Sequence, residues 1–191
     1  AVIHTFGFPL GLHIKGGGFL YRMAERRVAL GLVVGLDYAD PMLEPYREFL
    51  RFKRHPLVAG LIAGGRVLQQ GAKTLPVGGW YSMPRLCADG ALVIGDSACT
   101  LNARRLKGVH TAMKSGMLAA ETIAEALAAG DTGASALEGY RRRLEESWLG
   151  EELRQARNFS QALSRPPASR VVHLGAQMLS RGRGLVDPMP L

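Results

Sequence analysis

Two features of the segment from Ala91 to Leu127 suit chemistry at the edge of a sheet. The apolar run 91–94 ends in Gly95 and Asp96, and about a dozen residues on, Lys107 and Gly108 open a long alanine-rich amphipathic stretch. A carboxylate beyond the carboxyl end of a buried strand stands where open α/β sheets bind ligands. There it accepts hydrogen bonds from the hydroxyls of a sugar or polyol, and a glycine beside it leaves room for the ligand to lie against the backbone. A helix opening at Gly108 presents unpartnered N–H groups and the positive end of its macrodipole to an electron-rich acceptor. Asp96 by itself would be read as a cap of the turn that follows, and it is the combination that carries the signal.

A ligand with a hydroxylated tail and an electron-poor ring fits both features, and a flavin has both. Its reduced ring carries negative charge near N1 and the C2 carbonyl, so a helix N-terminus stabilises the reduced form by placed dipoles rather than by an acid or base. Ala112, Met113, Gly116, Ala119, Ala120 and Ala124 let the same helix pack closely against a neighbour.

The elements that must position these residues follow from periodicity. Residues 2–6, 18–23 and 28–37 alternate as strands, with the polar "AERR" as a hairpin connection between the last two. A helix is expected from Asp40 as N-cap and Pro41 at its first position, with Leu43, Tyr46, Phe49 and Leu50 on one face. Pro56 should interrupt it, and "LVAGLIAGG" reads as a second short helix closed by glycines. Residues 65–79 read as a strand and loop, 91–94 as a short central strand buried on both faces, 111–128 as the strongest helix and 136–162 as a further one. Strands first, then a strand-to-helix unit, then helices make a mixed α/β (α+β) pattern.

Composition narrows the partners. The chain has 191 residues, 47% of them hydrophobic, which is ample for a core, and 24 Lys plus Arg against 16 Asp plus Glu give a net charge of +8. That balance favours an anionic partner such as a membrane face or an acidic protein. No nucleic-acid-binding motif accompanies it. Cys87 and Cys99 have neither CxxC spacing nor a flanking His, and the five histidines are scattered, so no metal site is expected. No apolar run reaches the roughly 20 residues that span a bilayer. The amphipathic "VVHLGAQMLSRGRG", with Arg170, Arg181 and Arg183, suits either a membrane interface or an ordinary surface helix.

The block "GDSACTLNARRLKGVHTAMKSGMLAAE" resembles the C-terminal FAD signature of electron-transfer flavoprotein:ubiquinone oxidoreductases, with the run from Lys107 to Gly116 its most specific part. "HTFGFPLGLHIKGGGFLYRM", "LVVGLDYADPMLEPYREFLRFKRHP" and "GGRVLQQGAKTLPVGGWYSMPRL" are similar to that family's segments in the same order, so the resemblance covers about residues 2–160. It implies part of a glutathione-reductase-like FAD-binding domain combined with an antiparallel-sheet quinone module. The regions would be 1–80 for quinone or substrate, 81–130 for the C-terminal part of the FAD domain, and 131–191 a helical region with a membrane-surface segment. By the same resemblance, Gly95, Asp96, Lys107, Gly108, Val109, His110, Thr111 and Ala112 would contact FAD, with Asp96 on its ribityl or pyrophosphate part and Thr111 near the N1 and O2 edge. Lys15, Gly16 and Gly17 would face the quinone. The partners implied are electron-transfer flavoprotein, a quinone and a membrane surface, at the cytoplasmic face of a bacterial inner membrane or in the cytoplasm.

The chain departs from the family's pattern in three places. Lys15 stands where the family commonly has tyrosine, the N-terminal GxGxxG of the ADP half is missing, and two cysteines are fewer than the four that the family's iron–sulfur cluster requires. The expectation is a quinone-facing module plus half of an FAD module, from a longer enzyme or a truncated homologue, holding FAD weakly or not at all. The alternatives are a prenyl (geranylgeranyl) reductase, an aromatic hydroxylase-like flavoenzyme, or a binding remnant without a cofactor.

Overall fold

The computed structural model describes residues 2–189 and, of Pro167, the backbone alone. The fold is mixed α/β with two small antiparallel sheets, in two compact units that meet in sequence between Gly71 and Ala72.

The first unit is a three-stranded meander with two helices. Strands β1 (Val2–His4), β2 (Gly16–Arg22) and β3 (Val28–Val34) run antiparallel in that order. The β2–β3 connection is a tight turn in which Arg27 N–H donates to the Ala24 carbonyl at 3.1 Å. Glu25 and Arg26 sit at its centre at φ 55° and 57°, the backbone that matches the twist of the flanking strands. Large and small residues face each other across the sheet: Phe19 lies opposite Gly31, and its ring covers the place a β-carbon would take there. Helix α1 (Pro45–Arg54) lays Phe52, 2% exposed, across Gly18 of β2, and α2 (Pro56–Ile62) follows after His55.

The start of α1 differs from the sequence expectation. Asp40 caps a turn instead, its Oδ1 accepting from Met42 N–H at 2.9 Å, and the helix begins at Pro45 with Glu44 as N-cap. Pro45 decides this, because the residue before a proline is driven out of the helical region, so a helix begun at Pro41 could not run through Glu44. The buried line of α1 runs through Glu48 and Phe52, and Tyr46, expected on that line, is exposed.

The second unit begins with irregular chain: no strand forms over residues 66–79, contrary to expectation, and a 3-10 turn spans Trp80–Ser82. A minimal hairpin follows, β4 (Cys87–Ala88) and β5 (Ala91–Leu92), turned by Asp89 and Gly90. The expected central strand 91–94 is therefore corrected. Its regular part is two residues paired on one side, and Ile94 is exposed.

Gly95 starts a 3-10 turn, Gly95–Ala98, and a loop leads into α3 (Val109–Ala129), which ends on Gly130 at φ 66°. Four shorter helices and one longer one follow: α4 (Ala134–Leu137), α5 (Gly139–Glu146), α6 (Trp148–Gln155), α7 (Phe159–Leu163) and α8 (Pro167–Leu179). The single helix expected over 136–162 is thus broken. Ser147 leaves the helical region and caps α6 by accepting from Leu149 N–H at 3.2 Å. Gly150 then crosses the end of α5, where a β-carbon would lie 2.5 Å from the Leu144 and Glu145 carbonyl oxygens. The break brings Leu149 and Leu153 of α6 beside Tyr140 and Leu144 of α5, and these pack with Leu118 and Ala119 of α3, Leu86 and Ala98 as the core.

Candidate functional site

In the second unit Asp96 and the start of α3 come together. A β-carbon at Gly108 would lie 3.2 Å from Asp96 Oδ1, so the carboxylate stands over the N-cap. That oxygen is buried and has no hydrogen-bond partner among the described residues. Buried polar atoms are ordinarily satisfied, and one that is not points to a missing group. Gly108 supplies no side-chain cap, so the amides of Val109, His110 and Thr111 keep the free donors of a helix's first turn. Gly95, at φ 61°, packs against Ala112, and its N–H donates to Ser115 Oγ at 2.8 Å. Ser115, buried in α3, thereby ties the turn carrying Asp96 to the helix.

Other expected residues are placed as follows. Thr111 is fully buried and its hydroxyl donates to the Gly108 carbonyl at 2.8 Å, so its backbone amide is the part directed at the helix end. Val109 is exposed. Lys107 is exposed, and its backbone pairs with that of Asn102. The His110 ring stacks on Trp148 at 5.8 Å and lies 3.1 Å from Glu152.

Glu152 escaped the sequence reading. Its carboxylate accepts from the fully buried Asn102 at 2.7 Å, contacts His110, and lies 3.6 Å from Arg105. Burial opposes its charge, yet the bonds from Asn102 and His110 outweigh that and hold its pKa below the ordinary carboxylate value. It fixes the loop 101–107 to α6. Trp148 and Glu152, four apart on α6, share one helix face, which is the signal that finds them together.

In the first unit the glycines of β2 are places where backbone runs against backbone. A β-carbon would lie 2.1 Å from the Val33 carbonyl oxygen at Gly16, whose φ is 147°, and 2.1 Å from the Thr5 carbonyl oxygen at Gly17. The Lys15 ammonium is bound by Asp37 at 2.6 Å, and this hydrogen bond lowers the Asp37 pKa. Whatever meets the glycine strand therefore meets an ion pair rather than a lone cation. Among the described residues no group of His, Cys, Asp and Glu could hold a metal ion, and no helix is long and apolar enough to cross a membrane.

The protein is of the mixed α/β class, with a glycine strand in the small antiparallel sheet of one unit and a carboxylate over a helix start in the other. Residues 1–75 match the family model described as "ETF-QO, ubiquinone-binding". The chain is 48% identical over 162 residues, 85% of its length, to the mitochondrial electron transfer flavoprotein-ubiquinone oxidoreductase of Oryza sativa subsp. japonica, covering 28% of that relative. It is 45% identical over 162 residues, again 85% of its length, to the electron transfer flavoprotein-ubiquinone oxidoreductase of Pseudomonas aeruginosa, covering 29% of it. The human mitochondrial protein of that name is 46% identical over 165 residues, 83% of this chain and 27% of the relative. The chain belongs to the electron transfer flavoprotein-ubiquinone oxidoreductase family and spans less than a third of the length of these relatives.

Proposed function

We propose that this chain is the quinone-facing module together with the isoalloxazine-side half of an FAD site, in an oxidoreductase that passes electrons from reduced electron-transfer flavoprotein to membrane quinone. The observation that carries the reading is the unpartnered Asp96 oxygen over an uncapped helix start, in a chain of this family. Bound FAD would supply the electron-carrying ring. Asp96 accepts from a polyol hydroxyl, Gly95 and Gly108 let the turn carrying that acid close on the start of α3, and the amides of Val109, His110 and Thr111 face the electron-rich edge. Ala112 packs against Gly95 in that closure, and Lys107 contributes positive charge beside it.

In the other unit, Gly16 and Gly17 offer backbone to a quinone head group, and Lys15 is held by Asp37 rather than left to pair with the quinone. No proton-shuttling residue is required. Electron-transfer flavoprotein docks on the basic surface, and the chain works at a membrane surface without spanning it. The glutathione-reductase-like architecture belongs to this reading as well.

The test is FAD titration of the purified chain, followed by flavin fluorescence. Weak but saturable quenching is expected, weakened at least about tenfold by Asp96→Ala, the loss of one charge-assisted hydrogen bond. No saturable quenching, or equal titration by D96A, would count against the reading.

A further inference from the structure

The second unit holds an open cavity of about 690 Å³ whose wall carries four guanidinium groups, those of Arg154, Arg157, Arg181 and Arg183, against one carboxylate, Asp187. That carboxylate is already engaged. It accepts from Arg157 Nη2 at 2.6 Å and Nε at 3.0 Å, from Asn158 Nδ2 at 3.0 Å, and from the Tyr81 hydroxyl. Arg154 lies 5.1 Å over the Trp80 ring and donates to the Glu145 carbonyl. Arg181 and Arg183 have no side-chain partner among the described residues.

The two unpaired arginines are held on a fixed backbone. Fully buried Asn158 donates to the carbonyls of Gly182 and Arg183 at 2.9 Å each, and Gly184 N–H donates to Ser180 Oγ at 2.8 Å. Gly182, at φ 88°, runs so close to the Gln155 carbonyl that a β-carbon would lie 2.3 Å from its oxygen. A turn locked in this way holds like charges together without a counterion. Its Arg181 also answers the negative end of α8, which accounts for one cation and leaves Arg183 unanswered.

The chemistry that completes the cavity is a phosphate group, whose oxygens match the forked donors of arginine. Leu179, 91% exposed, adds an apolar side chain to the cavity wall, and Leu185 and Val186, close in sequence to Arg183, are exposed as well. From this arrangement we infer that the cavity binds a phosphate-bearing ligand through Arg181 and Arg183, with Arg154 and Arg157 behind them. An exposed leucine on that wall suits a ligand with an acyl portion, so an anionic phospholipid head group is the first source and a free phosphate compound the second. The inference does not rest on the flavin or quinone reading.

The test uses the chain with vesicles of phosphatidylcholine, alone and with phosphatidylglycerol, and with inorganic pyrophosphate in the absence of lipid. Binding to the anionic vesicles should fall about tenfold or more in R181Q/R183Q. It should fall less than about twofold in R141Q/R142Q, which removes the same charge from α5 and controls for general basicity. Pyrophosphate binding lost in R181Q/R183Q, without any difference on vesicles, would keep the phosphate site and assign it to a soluble ligand. Equal losses in the two double variants, or no effect of R181Q/R183Q on either ligand, would overturn the inference. Circular dichroism of each variant checks that the fold is intact.

Discussion

Asp96 and Gly108 face each other across the start of α3, with Oδ1 of the acid 3.2 Å from where a β-carbon on the glycine would stand. The contact sets two energies against each other. A carboxylate at a helix N-terminus gains about 0.3–1 kcal/mol from the macrodipole, whereas a buried acceptor without a partner costs about 1–3 kcal/mol. The cost of the unpartnered oxygen exceeds the gain, so Asp96→Ala should leave the ligand-free chain as stable or up to about 1 kcal/mol more stable while weakening its response to FAD. Urea unfolding with and without FAD measures both. A loss of stability beyond about 1 kcal/mol without flavin would mean that the oxygen is satisfied in solution.

Gly18 and Gly31 both lie under aromatic rings, but the rings differ in freedom. A β-carbon at Gly18 would lie 2.2 Å from the Phe52 ring, which is buried, and at Gly31 2.3 Å from the ring of half-buried Phe19. Gly18→Ala should therefore cost about 1–3 kcal/mol by overpacking. Gly31→Ala should cost less than about 1 kcal/mol, since Phe19 can swing outward and alanine loses less entropy in a strand. Thermal midpoints of the two variants give the ranking, and the reverse order would contradict this packing.

Much of this fold can be read from residue patterns because the deciding interactions are local. The hairpin around "AERR" forms where the alternation of β2 and β3 breaks, and α3 follows the small and apolar residues that open after Gly108. The failures have local causes of another kind. Two prolines compete for the start of α1, and the conformational restriction before Pro45 outweighs the capping ability of Asp40. The run 91–94 is apolar enough for a central strand, but an apolar run does not say which neighbours cover it, and Ile94 remains exposed. For the candidate site, the Gly95–Asp96 and Gly108 features are visible as sequence, whereas Glu152 is not. Its partners Asn102 and His110 lie some fifty and forty residues away and meet it only through the turn at Ser147.

Among the described residues, Glu152 is the acceptor given to the buried Asn102 side-chain amide, at 2.7 Å. Glu152→Ala strands that amide and should destabilise by about 1–3 kcal/mol. Glu152→Gln retains a carbonyl oxygen for Asn102 but loses the charge facing Arg105 and His110, so its cost should be clearly smaller, about 1 kcal/mol. Urea midpoints at neutral pH distinguish the two. Equal losses would show that the charge, rather than the bond to Asn102, holds the loop.

Asp187 gives the chain an acid-sensitive latch. Its hydrogen bonds from Arg157, together with those from Tyr81 and Asn158, outweigh burial and hold its pKa well below the ordinary 3.8. A carboxyl whose folded pKa is depressed stabilises the fold fully above its unfolded value, and the contribution disappears as pH falls through the folded one. The wild type should therefore exceed Asp187→Asn in stability at pH 6, by about 1–3 kcal/mol for a charge-assisted pair. The difference should begin to shrink as pH drops below about 4 and continue shrinking toward pH 2. Taking the difference between the two proteins removes the titration of the other acids from the comparison. Unfolding midpoints across that range are the measurement, and a gap that widens toward acid would show that Asp187 is destabilising in its charged form.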